Sequence, residues 1–167
     1  VGKSSMVANT TGSENVAVGT DALTANTTGA ENTAVGFYSL LAATTGGNLV
    51  AVGSRALAGN TTASNNTAVG KEALTSTTTG AQNTSVGTSA MFTNTTGASN
   101  TGIGFQALYY NTTASNNVAV GADALKANTT GGDNTVVGSL AGDENTTGAG
   151  LTAIGKGAAR ANTTANY

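Results

Sequence analysis

Apolar side chains return along this chain at a fixed interval of seventeen residues. One unit runs from Asn60 to Ser76, and copies begin at Asn9, Asn26, Ala43, Asn60, Thr77, Asn94, Asn111, Asn128, Asn145 and Asn162 without insertion. The tenth place is Val18, Val35, Val52, Val69, Val86, Ile103, Val120, Val137 and Ile154. The ninth place is mostly Ala, and the eleventh is glycine from Gly19 to Gly155. The fifteenth is Leu23, Leu40, Leu57, Leu74, Met91, Leu108 and Leu125, then Gly142 and Ala159. Both apolar pieces are too short for a helix, which needs about 10–12 residues of pattern. The Ala-Val piece pairs a small residue with a β-branched one and predicts a short strand. The Asn-Thr-Thr-Gly piece predicts a turn, since Asn and Gly tolerate positive φ and Thr bonds to local backbone.

A unit this small cannot bury its own apolar side, but stacked units can. The period therefore predicts an all-β chain: a β-solenoid, or parallel β-roll, of about ten 17-residue coils. The whole of residues 1–167 reads as a single repetitive domain. At one strand spacing per coil the stack would span roughly 45–50 Å. The Val column is expected to form the dry core, and the glycine column to permit a corner where a Cβ would clash. Asn15, Asn32, Asn66, Asn83, Asn100, Asn117 and Asn134 at the seventh place predict an amide ladder, broken by Leu49 and Leu151. Successive strand residues point to opposite faces. The Ala beside each Val, Ala68 and Ala119 among them, is thus expected to face a second chain. A thin coil with so few large side chains would be marginal alone, so the coils are expected to be intertwined or packed as an oligomer.

Charge sharpens this picture. The fourteen charged residues fall only at the sixth, twelfth, thirteenth, sixteenth and seventeenth places, which predicts that these five places face water. The aromatic residues Phe37, Tyr38, Phe92, Phe105, Tyr109, Tyr110 and Tyr167 share those places. They are candidate contact residues, for lateral packing or for a sugar ring. The net charge of −2 argues against nucleic acid, which demands a basic footprint. No apolar run approaches the roughly 18 residues of a membrane span. The first residues repeat the phase of Val18-Gly19 and the last residues fall in mid-repeat, which predicts a segment of a longer chain.

Candidate chemistry is sparse. The chain has no His and no Cys, so the common general bases and nucleophile pairs are missing. It reads as a non-enzyme with no cofactor or metal. Asp143-Glu144, the one adjacent acidic pair, is expected to mark a deformed coil. Asn9, Asn26, Asn60, Asn94, Asn111, Asn128, Asn145 and Asn162 each open an N-x-[ST] sequon, as do Asn65 and Asn83. They are candidate glycan sites, although Asn-Thr-Thr is also simply a good turn. Ice binding, the weakest reading, would need Thr columns on a flat strand, whereas Thr10-Thr11 lie in a turn and should point differently.

Asn15-Val16-Ala17-Val18-Gly19 and Asn117-Val118-Ala119-Val120-Gly121 resemble the head repeats of YadA-like trimeric autotransporter adhesins. Asn32-Thr33-Ala34-Val35-Gly36 and Asn66-Thr67-Ala68-Val69-Gly70 are near variants, and similar arrays occur in tail-fibre-like proteins of phages and viruses. The family's repeat is shorter, and this one adds the Asn-Thr-Thr-Gly turn. The resemblance implies a left-handed β-roll and a homotrimer. With the residues, it leads to a structural segment of an extracellular fibre or adhesin that assembles with itself into filaments or trimeric rods. The alternative is a tail-fibre or adhesin domain that binds surface carbohydrate. Either would sit outside a cell or on a virion.

Overall fold

The computed structural model describes residues 1–164; Tyr167 lies outside them. Nine strands of three residues each stack in chain order into one parallel sheet. They are β1 (Val16–Val18), β2 (Thr33–Val35), β3 (Val50–Val52), β4 (Thr67–Val69), β5 (Thr84–Val86), β6 (Thr101–Ile103), β7 (Val118–Val120), β8 (Thr135–Val137) and β9 (Thr152–Ile154). Each strand pairs in register with the next, Ala17 beside Ala34 and Val18 beside Val35. The described residues contain no helix. Parallel neighbours need a connection of about a dozen residues or more, and the rest of each unit supplies it by winding round the coil. The fold is the all-β solenoid that the period predicts. Its nine strands make eight strand-to-strand turns, slightly fewer than the ten coils expected.

The glycine after each strand makes the corner. Gly70 has φ 134°, and a Cβ there would lie 2.6 Å from the Gly87 carbonyl oxygen of the next coil. Both the backbone and the approach demand glycine. The Gly70 N–H meanwhile donates to Val52 O at 2.8 Å in the coil before.

The turn that follows holds a feature propensity does not foresee. Leu23, Leu40, Leu57, Leu74, Leu108 and Leu125 all have φ between 49° and 53°, as does Met91. A left-handed residue with a Cβ costs roughly 1–2 kcal/mol. The return is burial. Each of these side chains is wholly enclosed, and Leu74 N–H donates to Ala90 O of the next coil at 2.9 Å.

The core is therefore lined by the fifteenth-place Leu, the fourteenth-place Ala and the middle residue of each strand, and not by the Val column. Ala34, Ala51, Ala68 and Ala119 have no exposed surface. Val18, Val52, Val69, Ile103, Val137 and Ile154 are exposed, and Val35, Val86 and Val120 are half-buried. The two faces of the strand are thus the reverse of the expectation: Ala faces the coil's own interior and Val faces out. The reason is space. A seventeen-residue coil has room for one large layer, and the left-handed Leu fills it from the turn. The facing strand position must then be small. Ser85 shows the proximity directly, its Oγ donating across the interior to Ala90 O at 2.9 Å.

Departures from the pattern compensate one another. Where the strand residue shrinks to Gly102, the side chain of Met91 lies 3.2 Å from the point a Cβ would occupy. Where the Leu is lost at Gly142, Val136 replaces the strand Ala and Leu151 replaces the seventh-place Asn. Both reach to within 3.6 Å of the missing Cβ. Deformation near Asp143 is thus absorbed by volume exchange, as close-packed interiors require.

Polar ladders run the length of the stack. Seventh-place Asn residues clamp consecutive coils. Asn66 Oδ1 accepts the Asn83 backbone N–H at 2.8 Å, and Asn66 Nδ2 donates to Gly80 O at 2.8 Å. From Asn83 to Asn134 the amides also bond one another, in line with the expected ladder. A second ladder, in the Asn-Thr-Thr turn, links Asn94, Asn111, Asn128, Asn145 and Asn162 amide to amide. Second-place Thr hydroxyls, expected to bond locally, instead donate to the matching carbonyl one coil on. From Thr10 to Thr146 these bonds measure 2.8 to 3.2 Å.

Candidate interaction surfaces

With the interior filled by Ala, Leu and Asn, the five variable places form the water-facing turns. None of the fourteen charged residues is buried. The acidic pair near the C-terminal end shares one cation, since Arg160 Nε lies 3.3 Å from Asp143 and 3.8 Å from Glu144. Lys126 and Asp123 pair at 2.9 Å. These pairs are partly exposed and each contributes little, on the order of 0–1 kcal/mol. The described surface carries no pocket. Among the described residues no three His, Cys, Asp or Glu side chains converge as metal ligands.

The six aromatics among the described residues lie on the outer turns, in two clusters and one singleton. Phe37 and Tyr38 stack with centroids 3.9 Å apart. Phe92 and Tyr109, at the sixteenth place of consecutive coils, stack at 5.2 Å and 8°. Tyr110 meets Tyr109 edge-on at 4.7 Å. Phe105 stands exposed without a ring partner among the described residues. Phe92 and Tyr109 are half-buried against the coil while Tyr110 is half exposed. The three rings form a continuous apolar patch across two coils.

The sequons fare differently. Asn26, Asn60, Asn94, Asn111, Asn128 and Asn145 are fully buried, and so in effect is Asn83. Their amides are the ladder, as when Asn128 Nδ2 donates to Asn111 Oδ1 at 3.0 Å and to Gly131 O at 2.9 Å. A glycan cannot occupy an amide nitrogen that points into the coil, so these residues are structural. Asn9 and Asn162 are half-buried in the same ladder. Asn65 alone among the sequon residues is exposed. The two Thr of each turn do point differently, the second place half-buried in most coils and the third exposed throughout.

Sequence reasoning missed the most extensive surface. The first and last residues of β1–β9 share the outer face of the sheet. The first is Thr in six strands and Val in three, and the last is Val or Ile in all nine. The signal for it is the exclusion of charge from both places, a pattern that buried columns and covered surfaces share. The chain matches no protein-family model, no curated protein and no solved structure.

Proposed function

We propose that this chain is a structural, non-catalytic segment of an extracellular fibre or adhesin that assembles with copies of itself. The observation that carries this reading is the uniformity of the axial bonding. The Thr ladder ties each coil to the next in the same way from Thr10 to Thr146, and the Asn ladders reinforce it wherever their columns are filled, while the outer turns change freely from coil to coil. Such a design specifies a rod of set rise and leaves its surface open to variation. The eight strand steps alone span roughly 38 Å. The resemblance of the N-x-A-V-G strands to trimeric adhesin heads and to tail-fibre repeats supports a place outside a cell or on a virion. Antibodies raised against the chain should label intact producing cells or particles. Labelling that appears only after permeabilisation would overturn the reading.

A second reading has its own observation, the Phe92–Tyr109–Tyr110 patch. Stacked rings with an exposed edge suit the apolar face of a sugar ring. On a glycan array, binding that disappears with Tyr109→Ala and Tyr110→Ala would favour carbohydrate recognition. A blank array would leave these rings as lateral packing.

A further inference from the structure

We infer that the outer face of the sheet is a dry seam that docks on the same face of a second copy of this chain. The inference specifies the self-association within the proposed function. Three observations meet on this face. The last residue of each strand is Val or Ile in all nine, yet Val69 is 36% exposed and Ile103 38%. The first residue, on the same face, accepts Thr in six strands, so a β-branched shape alone does not exclude a hydroxyl. Something at the last place does, and an apolar partner that excludes water is a sufficient cause. Finally, neither place carries a charge in any coil, whereas the sixth, twelfth, thirteenth, sixteenth and seventeenth places all do. Depletion of charge is the mark of an interface centre.

The occupant follows from periodicity. The Val and Ile side chains recur once per coil, at roughly the 4.8 Å strand spacing. A partner that packs against every one of them must repeat at the same rise. A second solenoid of this sequence does so without adjustment, its Val rows settling between the rows of the first. Two such faces would pack about 10 Å apart, as stacked sheets do. A strip of roughly 40 by 10 Å per copy is about half of a standard interface, so the seam gains strength with every coil added.

The test uses the chain itself, which has no cysteine. Val86 ends the middle strand, β5, so it meets its counterpart whether two copies pack parallel or antiparallel. In sedimentation equilibrium the parent chain should run at twice its 16.0 kDa mass or more. Val86→Asp should run as one chain with its β circular dichroism intact. With a bis-maleimide linker of about 10 Å, Val86→Cys should cross-link between copies, while Thr79→Cys, on the exposed turn of the same unit, should not. A parent chain that stays monomeric at its solubility limit would overturn the seam. So would a folded Val86→Asp of unchanged mass, or equal cross-linking at the two cysteines. If Val86→Asp fails to fold, the cysteine pair decides. Surface labelling reports on the wider reading separately, and an assembly that survives Val86→Asp would preserve self-association while discarding this face.

Discussion

Residues 94–144 carry the amide pattern complete, with Asn94, Asn111 and Asn128 at the first place and Asn100, Asn117 and Asn134 at the seventh. Residues 43–59 carry neither, having Ala43 and Leu49 instead. In the first region Asn117 uses its whole amide. Nδ2 donates to Gly131 O at 3.0 Å and to Asn100 Oδ1 at 3.2 Å, and Oδ1 accepts the Asn134 backbone N–H and Nδ2, both at 3.0 Å. In the second, Leu49 N–H still donates to Asn32 Oδ1, but its side chain offers nothing upward, and Ala43 gives no donor to Asn26 Oδ1. That oxygen is buried without a partner. The two places are neighbours within a coil, since Asn66 Nδ2 lies 3.5 Å from Asn60 Oδ1. A small first residue and a large apolar seventh therefore fill the volume of two amides. At 43–59 both members change together and the penalty falls on the neighbour left below, whereas at 145–161 Leu151 replaces the seventh-place Asn beside an unchanged Asn145 and takes up the space left at Gly142.

Breaking the intact region should have the largest effect. Asn117→Ala removes four hydrogen bonds and strands buried groups on both sides, for a loss of about 3 kcal/mol. Hydrogen exchange of the amides of residues 100–134 should rise locally, and urea unfolding should shift to lower midpoint. A loss below about 1 kcal/mol would mean that the ladder is incidental.

Transplanting the apolar solution comes next. Asn111→Ala with Asn117→Leu reproduces the arrangement at 43–59 in the middle of the ladder. The double variant should be less damaged than the sum of the singles by about 1 kcal/mol, measured as a double-mutant cycle. Strict additivity would show that the two places do not share volume.

The reverse repair should be gentler. Ala43→Asn with Leu49→Asn gives Asn26 Oδ1 a donor and extends both ladders, and should stabilise by about 1 kcal/mol. A destabilised variant would show that the leucine contributes more than two amides. Smallest of all, Glu72→Lys, on the water-facing turn between the regions, should stay within about 0.5 kcal/mol of the parent.

The period, the parallel solenoid, the glycine corner and the water-facing turns were legible in the sequence because each follows from one recurring constraint. The direction of the strand was not. Alternation separates Ala68 from Val69 but does not say which is inside, and both columns reject charge. Size favoured Val69, yet the deciding fact was the left-handed turn that inserts Leu74 from the opposite wall. No propensity scale expects Leu at φ 53°. The same limit explains the sequons. Asn128-Thr129-Thr130 reads as a surface turn, and only the closed coil shows its amide pointing inward. Among the aromatics, Phe37, Phe105 and Tyr110 share columns with charges and are exposed, whereas Phe92 and Tyr109, in such a column too, lie half-buried against the coil. Their stacking across coils, as in Phe92 and Tyr109, depends on axial neighbours that a linear reading reaches only by counting seventeen places.

The axial ladders also determine how the rod would yield under load. Tension applied at the two ends acts on one terminal coil at a time, because each coil is tied only to its neighbours. Peeling a coil frees seventeen residues, a gain in length of roughly 55 Å once the lost rise is subtracted. Each event ruptures nearly the same set of bonds, so the force–extension trace should be a train of near-equal teeth rather than one large rupture. The weakest tooth should fall where Ala43 and Leu49 interrupt both amide columns. A molecule built this way sheds tension in small instalments and keeps its remaining length folded.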